Sequence, residues 1–340
     1  MPAAKIKPGK IVINHDEWTL SDTGFQNSPD AEIFVKNVAN WFSGGRPGKF
    51  HAYSSNFGVS QTKLKEAITK AGHTWTVDVN NKFDLETLLT FDGVFVGGQA
   101  KDNKVLTDYV KAGGNVYLMG GTGVVGSAQA ESNTWKAFLN AFGFELAAQY
   151  NGVSGNQAIN NAHPIFAGVK SLYHNNGQSI INSATNSKDN QILVSHTSGG
   201  LFAVFDPTTG EFEVPTNSDA GVEFTNSQTK DISYKFTPSG TWKPKADIPD
   251  CTAAGLKGFP PEIQTPLNEG LKAFEQYLKY PKNTTFALLA VNKTTGAVTE
   301  LGQETTIVLK ANETLTFLVN DFTPNYGDNT GILTVKFSAI

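Results

Sequence analysis

Asparagine and aspartate side chains crowd one short stretch near the end of the chain. Residues 320–331 read N-D-F-T-P-N-Y-G-D-N-T-G and include Asp321, Asn325, Asp328 and Asn329. Calcium binds about 6–8 oxygen ligands from carboxylates, amide carbonyls and backbone carbonyls, and the stretch offers all three types. Magnesium is disfavoured because it prefers a rigid octahedron with retained water. An ordinary hairpin loop has the same composition, since Asn, Asp and Gly favour turns.

The spacing within this stretch excludes an EF-hand. Counting from Asp321, the sixth position is Tyr326, where an EF-hand requires glycine, and the twelfth is Ile332 instead of glutamate. Other elements must therefore position the loop. The runs on both sides of it alternate apolar and polar residues, as β-strands do. We expect Tyr326 at the surface, because it lies inside a polar loop.

A second set of reactive side chains follows the first predicted strand. His15, Asp16 and Glu17 come directly after residues 10–14 and could ligate a metal or act as acid and base. Adjacent residues on an extended chain point to opposite faces, so at most two of the three can share a pocket. A polar loop that caps helices is the alternative interpretation. The glycine-rich residues 120–126 lack the spacing of known phosphate-binding motifs and give little support for nucleotide binding.

Length and composition limit the class of protein. At 340 residues the chain exceeds the usual domain size of about 100–200 residues, so we expect two domains. The net charge is −4 and Arg46 is the only arginine, which disfavours nucleic-acid binding. Cys251 is the only cysteine, which excludes a disulfide framework and a thiolate metal cluster.

Targeting signals in the sequence are few. Residues 1–10 contain no apolar run of signal-peptide length, and no segment approaches the ~20 apolar residues of a membrane span. Cytoplasmic and extracellular locations both stay open. Asn283, Asn292 and Asn312 begin N-x-T sequons, which matter only in a eukaryotic secretory route.

The first 207 residues alternate short apolar runs with helical patterns. Such alternation predicts a doubly wound, flavodoxin-like parallel sheet with helices on both faces, in which ligands bind at the carboxyl ends of the strands. The predicted strands are residues 10–14, 50–54, 75–79, 93–97, 115–119, 191–195 and 201–205, and the predicted helices begin near residues 28, 61, 104 and 131.

The strand order and the glycine-rich turn after the fifth strand resemble the class I glutamine-amidotransferase-like superfamily, including its ThuA-like branch. Members with amidase activity carry a cysteine in a G-x-C-x-G elbow and a His-Pro-Glu base. Here Thr122 occupies the elbow, and His163-Pro164 is followed by Ile165. A threonine hydroxyl needs a dedicated base and an oxyanion hole to react. We therefore expect that the chain has no amidase activity and that it is not an enzyme.

Helical periodicity nearly vanishes after the turn-rich residues 206–210. The remaining chain alternates in twos, which predicts a small antiparallel β-sandwich over residues 208–340, with one helical interruption at 267–277. We expect its tryptophan, Trp242, in the core rather than stacked on a ligand. The predicted strands are residues 232–236, 286–291, 305–309, 315–319 and 333–337.

Several motifs in this half resemble the galactophilic lectin A family over about 130 residues. They are S-G-T-W at 239–242, F-A-L-L-A-V at 286–291, T-F-L-V-N-D at 316–321, Y-G-D-N-T-G at 326–331 and T-V-K-F at 334–337. In that family the loop holds one calcium ion, and vicinal hydroxyls of a galactoside complete its coordination. The resemblance implies that the calcium ligands are the side chains of Asp321, Asn325, Asp328 and Asn329, with a backbone carbonyl near Trp242 to Pro244.

The same resemblance implies a sugar site around this calcium. Asp321 and Asp328 would divide their lone pairs between the metal and the sugar hydroxyls. Family members also use a histidine, followed three residues later by a glutamine. Residues 208–340 contain no histidine, and counting back from residue 286 places Ala273 and Gln276 at these positions. The implied sugar contacts are Asp321, Phe322, Asn325, Asp328 and Gln276.

Three functional hypotheses follow. The first is a non-enzymatic, calcium-dependent, galactose-type lectin, which could form oligomers. The second is a hydrolase whose catalytic centre lies around His15, Asp16, Glu17 and His163, with the sandwich as a glycan-targeting module. The third is an interaction protein with a purely structural calcium ion.

Overall fold

The computed structural model describes residues 8–123, 126–184, 189–197, 199–226 and 231–340. The chain divides into two compact units, Lys7–Pro207 and Thr208–Ile340. The first unit mixes helices with sheets, whereas the second is mostly β-structure. No helix in the described residues is long and apolar enough to cross a membrane.

The first unit is built on a sheet in which nine strands are described, with a separate pair of strands beside it. Its strands are β1 Ile11–Asn14, β2 Lys49–Ala52, β3 Thr74–Val77, β4 Gly93–Val96, β5 Asn115–Met119, β6 Phe144–Tyr150, β7 Ser154–Ala158, β8 Ser171–Asn175, β9 Gln178–Asn182, β10 Asn190–His196 and β11 Gly199–Phe205. The order β3-β2-β4-β5-β1 is parallel throughout, as the sequence predicts. Strands β7 and β8 form the separate pair.

The remaining strands make the sheet mixed rather than fully parallel. Strand β11 runs antiparallel to β1, and β9, β6 and β10 also pair antiparallel. The prediction that these later runs continue a doubly wound parallel sheet was therefore wrong. Strand β10 ends at His196 and β11 begins at Gly199, which leaves room only for a hairpin, whereas a parallel crossover needs a dozen or more residues.

Helices cover both faces of this sheet. Val12 packs in one hydrophobic cluster with Phe34, whereas its neighbour Ile13 packs in another with Leu106 and Trp135. Successive strand residues point to opposite faces, so one strand contributes to both cores. The helices are α1 Asp22–Asn27, α2 Asp30–Ser43, α3 Phe57–Ser60, α4 Thr62–Lys70, α5 Leu85–Leu88, α6 Asn103–Lys111 and α7 Ala128–Asn140.

The second unit contains two antiparallel sheets with a shared core. One has the order β12-β20-β14-β18, with β15 paired to β20, and the other has the order β13-β19-β16-β17. The ring of Phe236 on β14 lies 5.0 Å from that of Phe317 on β19. The strands are β12 Thr209–Pro215, β13 Val222–Thr225, β14 Ile232–Ser239, β15 Trp242–Lys243, β16 Leu288–Asn292, β17 Val298–Leu301, β18 Thr305–Leu309, β19 Thr314–Val319 and β20 Thr330–Ala339.

One helical segment interrupts the strands of this unit. Helix α8, Pro261–Leu271, leads directly into a 3-10 helix, Lys272–Tyr277. No side chain of either helix is fully buried, although both helices carry apolar residues. The segment begins six residues before the predicted start at residue 267.

Candidate functional site

The loop with the predicted calcium ligands connects β19 to β20. It contains a 3-10 turn, Asn325–Asp328, and a cis peptide bond between Thr323 and Pro324. Because β19 and β20 belong to different sheets of the sandwich, the loop spans one end of the core.

Asn320 fixes the start of this loop. Its side chain is buried, and Nδ2 lies 3.1–3.2 Å from the carbonyl oxygens of Tyr280, Asn283 and Thr284. Its Oδ1 accepts the backbone N–H of Tyr280 at 3.1 Å. A buried amide with this number of backbone partners holds the two connected loops in one arrangement. The next residue, Asp321, is thereby held in place.

Tyr326 links the loop to the end of strand β19 through hydrogen bonds. Its hydroxyl donates to the carbonyl oxygen of Val319 at 2.9 Å and accepts the backbone N–H of Asp321 at 3.3 Å. The ring is 5% exposed and belongs to the core of the sandwich. The prediction that Tyr326 lies at the surface was wrong, because an amphipathic ring can be buried where its hydroxyl finds partners.

Two side-chain oxygens of the loop are buried and have no hydrogen-bond partner among the described residues. They are Oδ2 of Asp321 and Oδ1 of Asn329. The other polar atoms of the same side chains are satisfied: Asp321 Oδ1 accepts the N–H of Phe322 at 2.7 Å, and Asn329 Nδ2 donates to the carbonyl oxygen of Thr216 at 2.8 Å. Buried polar atoms in native proteins nearly always have partners, and an absent ion is one explanation when they do not.

Burial raises the pKa of the Asp321 carboxyl, and the negative charge of Asp328 raises it further. The N–H of Phe322 and the side chain of Asn329 lower this pKa, although the Asn329 amide directs its hydrogen bond to Thr216. Burial therefore outweighs the compensation that these two groups give to the charged carboxylate. A bound cation would supply further compensation and reverse the shift.

The loop borders a cavity of about 660 Å³. Sites for small molecules typically have volumes of about 300–1,000 Å³ and combine apolar walls with a few polar groups. The polar lining residues are Lys245, Asp247, Asp321, Thr323, Asn325 and Asp328. Most of the apolar lining comes from Pro244, Ile248, Leu267, Leu271, Phe274 and Phe322.

Most of the predicted site residues lie in or beside this cavity. Asp321, Phe322, Asn325, Asp328 and Pro244 line it, and the buried Asn329 shares their loop. Trp242, by contrast, is a buried core residue, as expected from its type, and its carbonyl oxygen accepts the N–H of Cys251 at 2.7 Å.

Gln276 is the exception among the predicted sugar contacts. It is exposed on the 3-10 helix and is not among the residues that line the cavity. Phe274 and Tyr277 line the cavity instead. A 3-10 helix has three residues per turn, so residues 274 and 277 share one face while residue 276 belongs to another.

Sequence reasoning missed the side chains opposite the loop. Leu267, Leu271 and Phe274 line the cavity from the helical segment, and Lys245 and Asp247 line it from the chain after β15. The first three follow the i, i+4, i+7 spacing of a helical face, and that pattern was the available signal. Lys245 and Asp247 follow no such spacing in the sequence.

Comparisons with known proteins give limited information. No protein-family model matches the chain. No curated protein sequence matches it. Among solved structures, the chain is similar to the N-terminal domain of EclA, described as a PllA-like lectin. The sequence identity is 16% and the TM-score is 0.26, with 38% of this chain and 95% of that chain covered. This distant likeness to a lectin domain assigns neither a metal nor a ligand to the present chain.

The glycine-rich turn after β5 lies in the first unit, and residues 124–125 of the predicted stretch 120–126 fall outside the described residues. The hydroxyl of Thr122 donates to Oε1 of Glu131 at 2.8 Å, and its N–H donates to Oε2 at 3.0 Å. Burial raises the pKa of Glu131 to about 7, although Thr122 and the neighbouring amides lower it. The carboxylate occupies amides that an oxyanion hole would need. The expected lack of amidase chemistry stays a prediction.

Two residues of the hydrolase hypothesis, His15 and Asp16, lie close together beside His174, whereas His163 and Glu17 contact other residues. His163 packs edge-on against Trp41, with ring centroids 5.1 Å apart, whereas His15 packs against His174. Glu17 accepts a hydrogen bond from Asn56 at 2.5 Å. Burial raises the pKa of Glu17 to about 8.

Proposed function

We propose that the second unit is a calcium-dependent carbohydrate-binding module and that galactosides are its ligands. The observation that carries this proposal is a pair of buried oxygens, Asp321 Oδ2 and Asn329 Oδ1, that accept no hydrogen bond from the part of the chain that the structure describes. Carboxylate and amide oxygens are the ligand types that calcium prefers. A calcium ion bound to both would remove the cost of burying them, which is about 1–3 kcal/mol for each unpaired group.

The remaining calcium ligands come from the same cavity. We assign Asn325 and Asp328 as further side-chain ligands and the carbonyl oxygen of Pro244 as the backbone ligand. Pro244 is preferred to Trp242, because the carbonyl of Trp242 already accepts a hydrogen bond and Pro244 lines the cavity. Five protein ligands leave room for two sugar hydroxyls in a shell of about 6–8 oxygens.

The cavity suits a sugar for a second reason. A pyranose ring has polar edges and an apolar C–H face. Leu267, Leu271 and Phe274 provide an apolar wall in the same cavity as the acidic loop. We propose that this wall packs against the C–H face of the sugar or against an apolar aglycone, while the calcium ion holds two hydroxyls.

Residues 208–340 contain no histidine that could bind the remaining hydroxyls, and Gln276 is not among the cavity residues. Lys245 and Asp247 line the cavity and have charged groups that can hydrogen-bond to hydroxyls. We therefore assign these two side chains, rather than Gln276, as the candidate determinants of sugar specificity. The proposal requires no catalytic step.

Isothermal titration calorimetry on the full chain tests the proposal. Galactose, methyl galactosides, glucose and mannose are titrated in saturating calcium and again with a chelator. We expect binding of a galactoside only with calcium, its loss in Asp328→Asn, and its retention in Asp231→Asn, which changes an exposed aspartate of the same unit. Folded wild-type protein that binds no sugar in saturating calcium would overturn the proposal.

A further inference from the structure

A compact group of metal-binding side chain types lies in the first unit. His15 and Asp16 follow strand β1, and His174 is on strand β8. All three side chains are fully buried, and one ligand atom from each lies within 4.8 Å of the others. We propose that His15, Asp16 and His174 bind a divalent transition-metal ion.

The backbone fixes both segments of this group. The N–H of His15 donates to the carbonyl oxygen of Leu201 at 3.0 Å, and the carbonyl oxygen of His15 accepts the N–H of Gln178 at 2.8 Å. Asp16 accepts hydrogen bonds from the N–H groups of Trp18 and Asn175. Because Asn175 follows His174, the Asp16 carboxylate joins the two segments directly. The three side chains are therefore held together before any ion binds.

Hydrogen bonding within the described residues does not satisfy this group. His15 Nε2 lies 2.9 Å from His174 Nδ1, and Thr19 Oγ1 lies 3.3 Å from the same Nδ1. The other ring nitrogen, His174 Nε2, is buried and has no hydrogen-bond partner among the described residues. A cation binds ring lone pairs rather than N–H groups, and the 2.9 Å between His15 Nε2 and His174 Nδ1 brings two potential ligand atoms together.

Charge gives a second argument. In the described residues, no lysine or arginine forms an ion pair with Asp16. Neutral imidazoles nearby supply no positive charge. The two backbone N–H groups compensate the negative charge of the Asp16 carboxylate only in part. A buried carboxylate without a cation is costly, and a divalent ion would supply the opposite charge.

A ligand-orienting residue is also present. Metal-binding histidines are usually oriented by a hydrogen bond at their second ring nitrogen. Asn151 Nδ2 lies 3.0 Å from His15 Nδ1, and Asn151 Oδ1 accepts the N–H of Val153 at 3.0 Å. The fixed Asn151 amide therefore orients the His15 ring.

Ligand chemistry separates this group from the calcium loop. Two imidazoles and one carboxylate suit zinc and other first-row transition ions, whereas calcium prefers oxygen ligands. Tetrahedral zinc bonds of about 2.0–2.2 Å place neighbouring ligand atoms about 3.3–3.6 Å apart. Because the ligand atoms of the group lie within 4.8 Å of one another, the widest separation must shrink by roughly 1 Å when the ion binds.

The test is metal content of the intact chain. Purified protein is stripped with chelator, incubated with zinc, desalted and measured by plasma mass spectrometry. We expect about one zinc per chain in the wild type, loss of that zinc in His174→Ala and Asp16→Asn, and retention in His163→Ala, which removes another buried histidine of the same unit. Circular dichroism confirms that each variant is folded, because Asp16→Asn places an amide NH2 group against one of the two backbone N–H groups that Asp16 accepts.

Two results would overturn the proposal. One is folded wild-type protein that retains no zinc. The other is equal zinc content in the wild type, His174→Ala and Asp16→Asn. Asp321→Asn is measured in parallel and should keep its zinc, so that failure of the calcium site and failure of this site are distinguished.

Discussion

Asn320 and Tyr280 form a reciprocal pair of hydrogen bonds. The Asn320 Nδ2 donates to the carbonyl oxygen of Tyr280, and the N–H of Tyr280 donates to Asn320 Oδ1, each over 3.1 Å. The N–H of Lys279 also donates to the carbonyl oxygen of Asp321 at 3.2 Å. The loop that carries the proposed calcium ligands is thus tied to the segment before β16. The position of Asp321 therefore depends on Asn320, whose partner Tyr280 lies 40 positions earlier in the chain.

Replacing Asn320 should destabilise the protein and the calcium site together. Asn320→Ala removes four hydrogen bonds and leaves buried backbone groups unpaired, so we expect a loss of about 3 kcal/mol in the free energy of unfolding. Urea denaturation in chelator measures this loss, and calcium titration should show weaker binding. Asn217→Ala, at an exposed asparagine of the same unit, should change stability by less than about 0.5 kcal/mol. Equal stability of the two variants would contradict the anchoring role.

Asp321→Asn should abolish stabilisation by calcium. A ligand that binds only the native state stabilises it by about 2.7 kcal/mol at 100 times its Kd. Wild-type protein should therefore melt at a higher temperature with calcium than with chelator, and the variant should not. In chelator we expect the variant to be at least as stable as the wild type, because a buried, uncompensated charge is removed. A calcium-dependent rise in Tm that survives in the variant would exclude Asp321 as a ligand.

Glu131 should make stability depend on pH. Burial raises its pKa from 4.5 to about 7 in the folded protein, so the native state holds a proton that the unfolded state releases earlier. Stability should therefore fall as the pH rises from about 4.5 to 7, by about 3 kcal/mol from this group. Denaturation curves across this range should show that Glu131→Gln loses that part of the slope. The exposed Glu86→Gln serves as control, and an unchanged slope in Glu131→Gln would refute the assignment.

Phe274 should affect ligand binding without affecting stability. Its side chain is 53% exposed and lines the cavity. Removing about 40 Å² of apolar contact should lower the affinity for galactosides with an apolar aglycone by about fivefold, with a smaller loss for free galactose. Calorimetry with both ligands measures the difference. Val308→Ala, at a more exposed residue of strand β18, should leave both affinities unchanged. If Phe274→Ala behaves like Val308→Ala, the apolar wall does not contact the ligand.

Local patterns predicted the elements that local forces determine. Strand β5 lies at the predicted residues 115–119, and Gly44, with φ of 66°, ends helix α2 as its left-handed conformation allows. Strand β12 was missed, because Thr209 and Gly210 have the composition of a turn. They pair with Ser338 and Phe337 near the end of the chain. Strand formation there depends on a distant partner rather than on local propensity.

The same distinction applies to the candidate sites. Asp321, Asn325 and Asp328 could be found because the loop places the required ligand types close together in sequence. Gln276 could not be placed by counting across the helical segment, since helix geometry decides which side chains face the cavity. His15 and His174 are 159 residues apart, so only the fold reveals their contact.

A crystal structure with calcium and galactose tests the central claim most directly. We expect one calcium ion bonded to Asp321 Oδ2 and Asn329 Oδ1 at about 2.3–2.6 Å, with two galactose hydroxyls in the same coordination shell. Galactose absent from the cavity at saturating concentration, or a calcium ion that leaves both oxygens unbonded, would contradict the account.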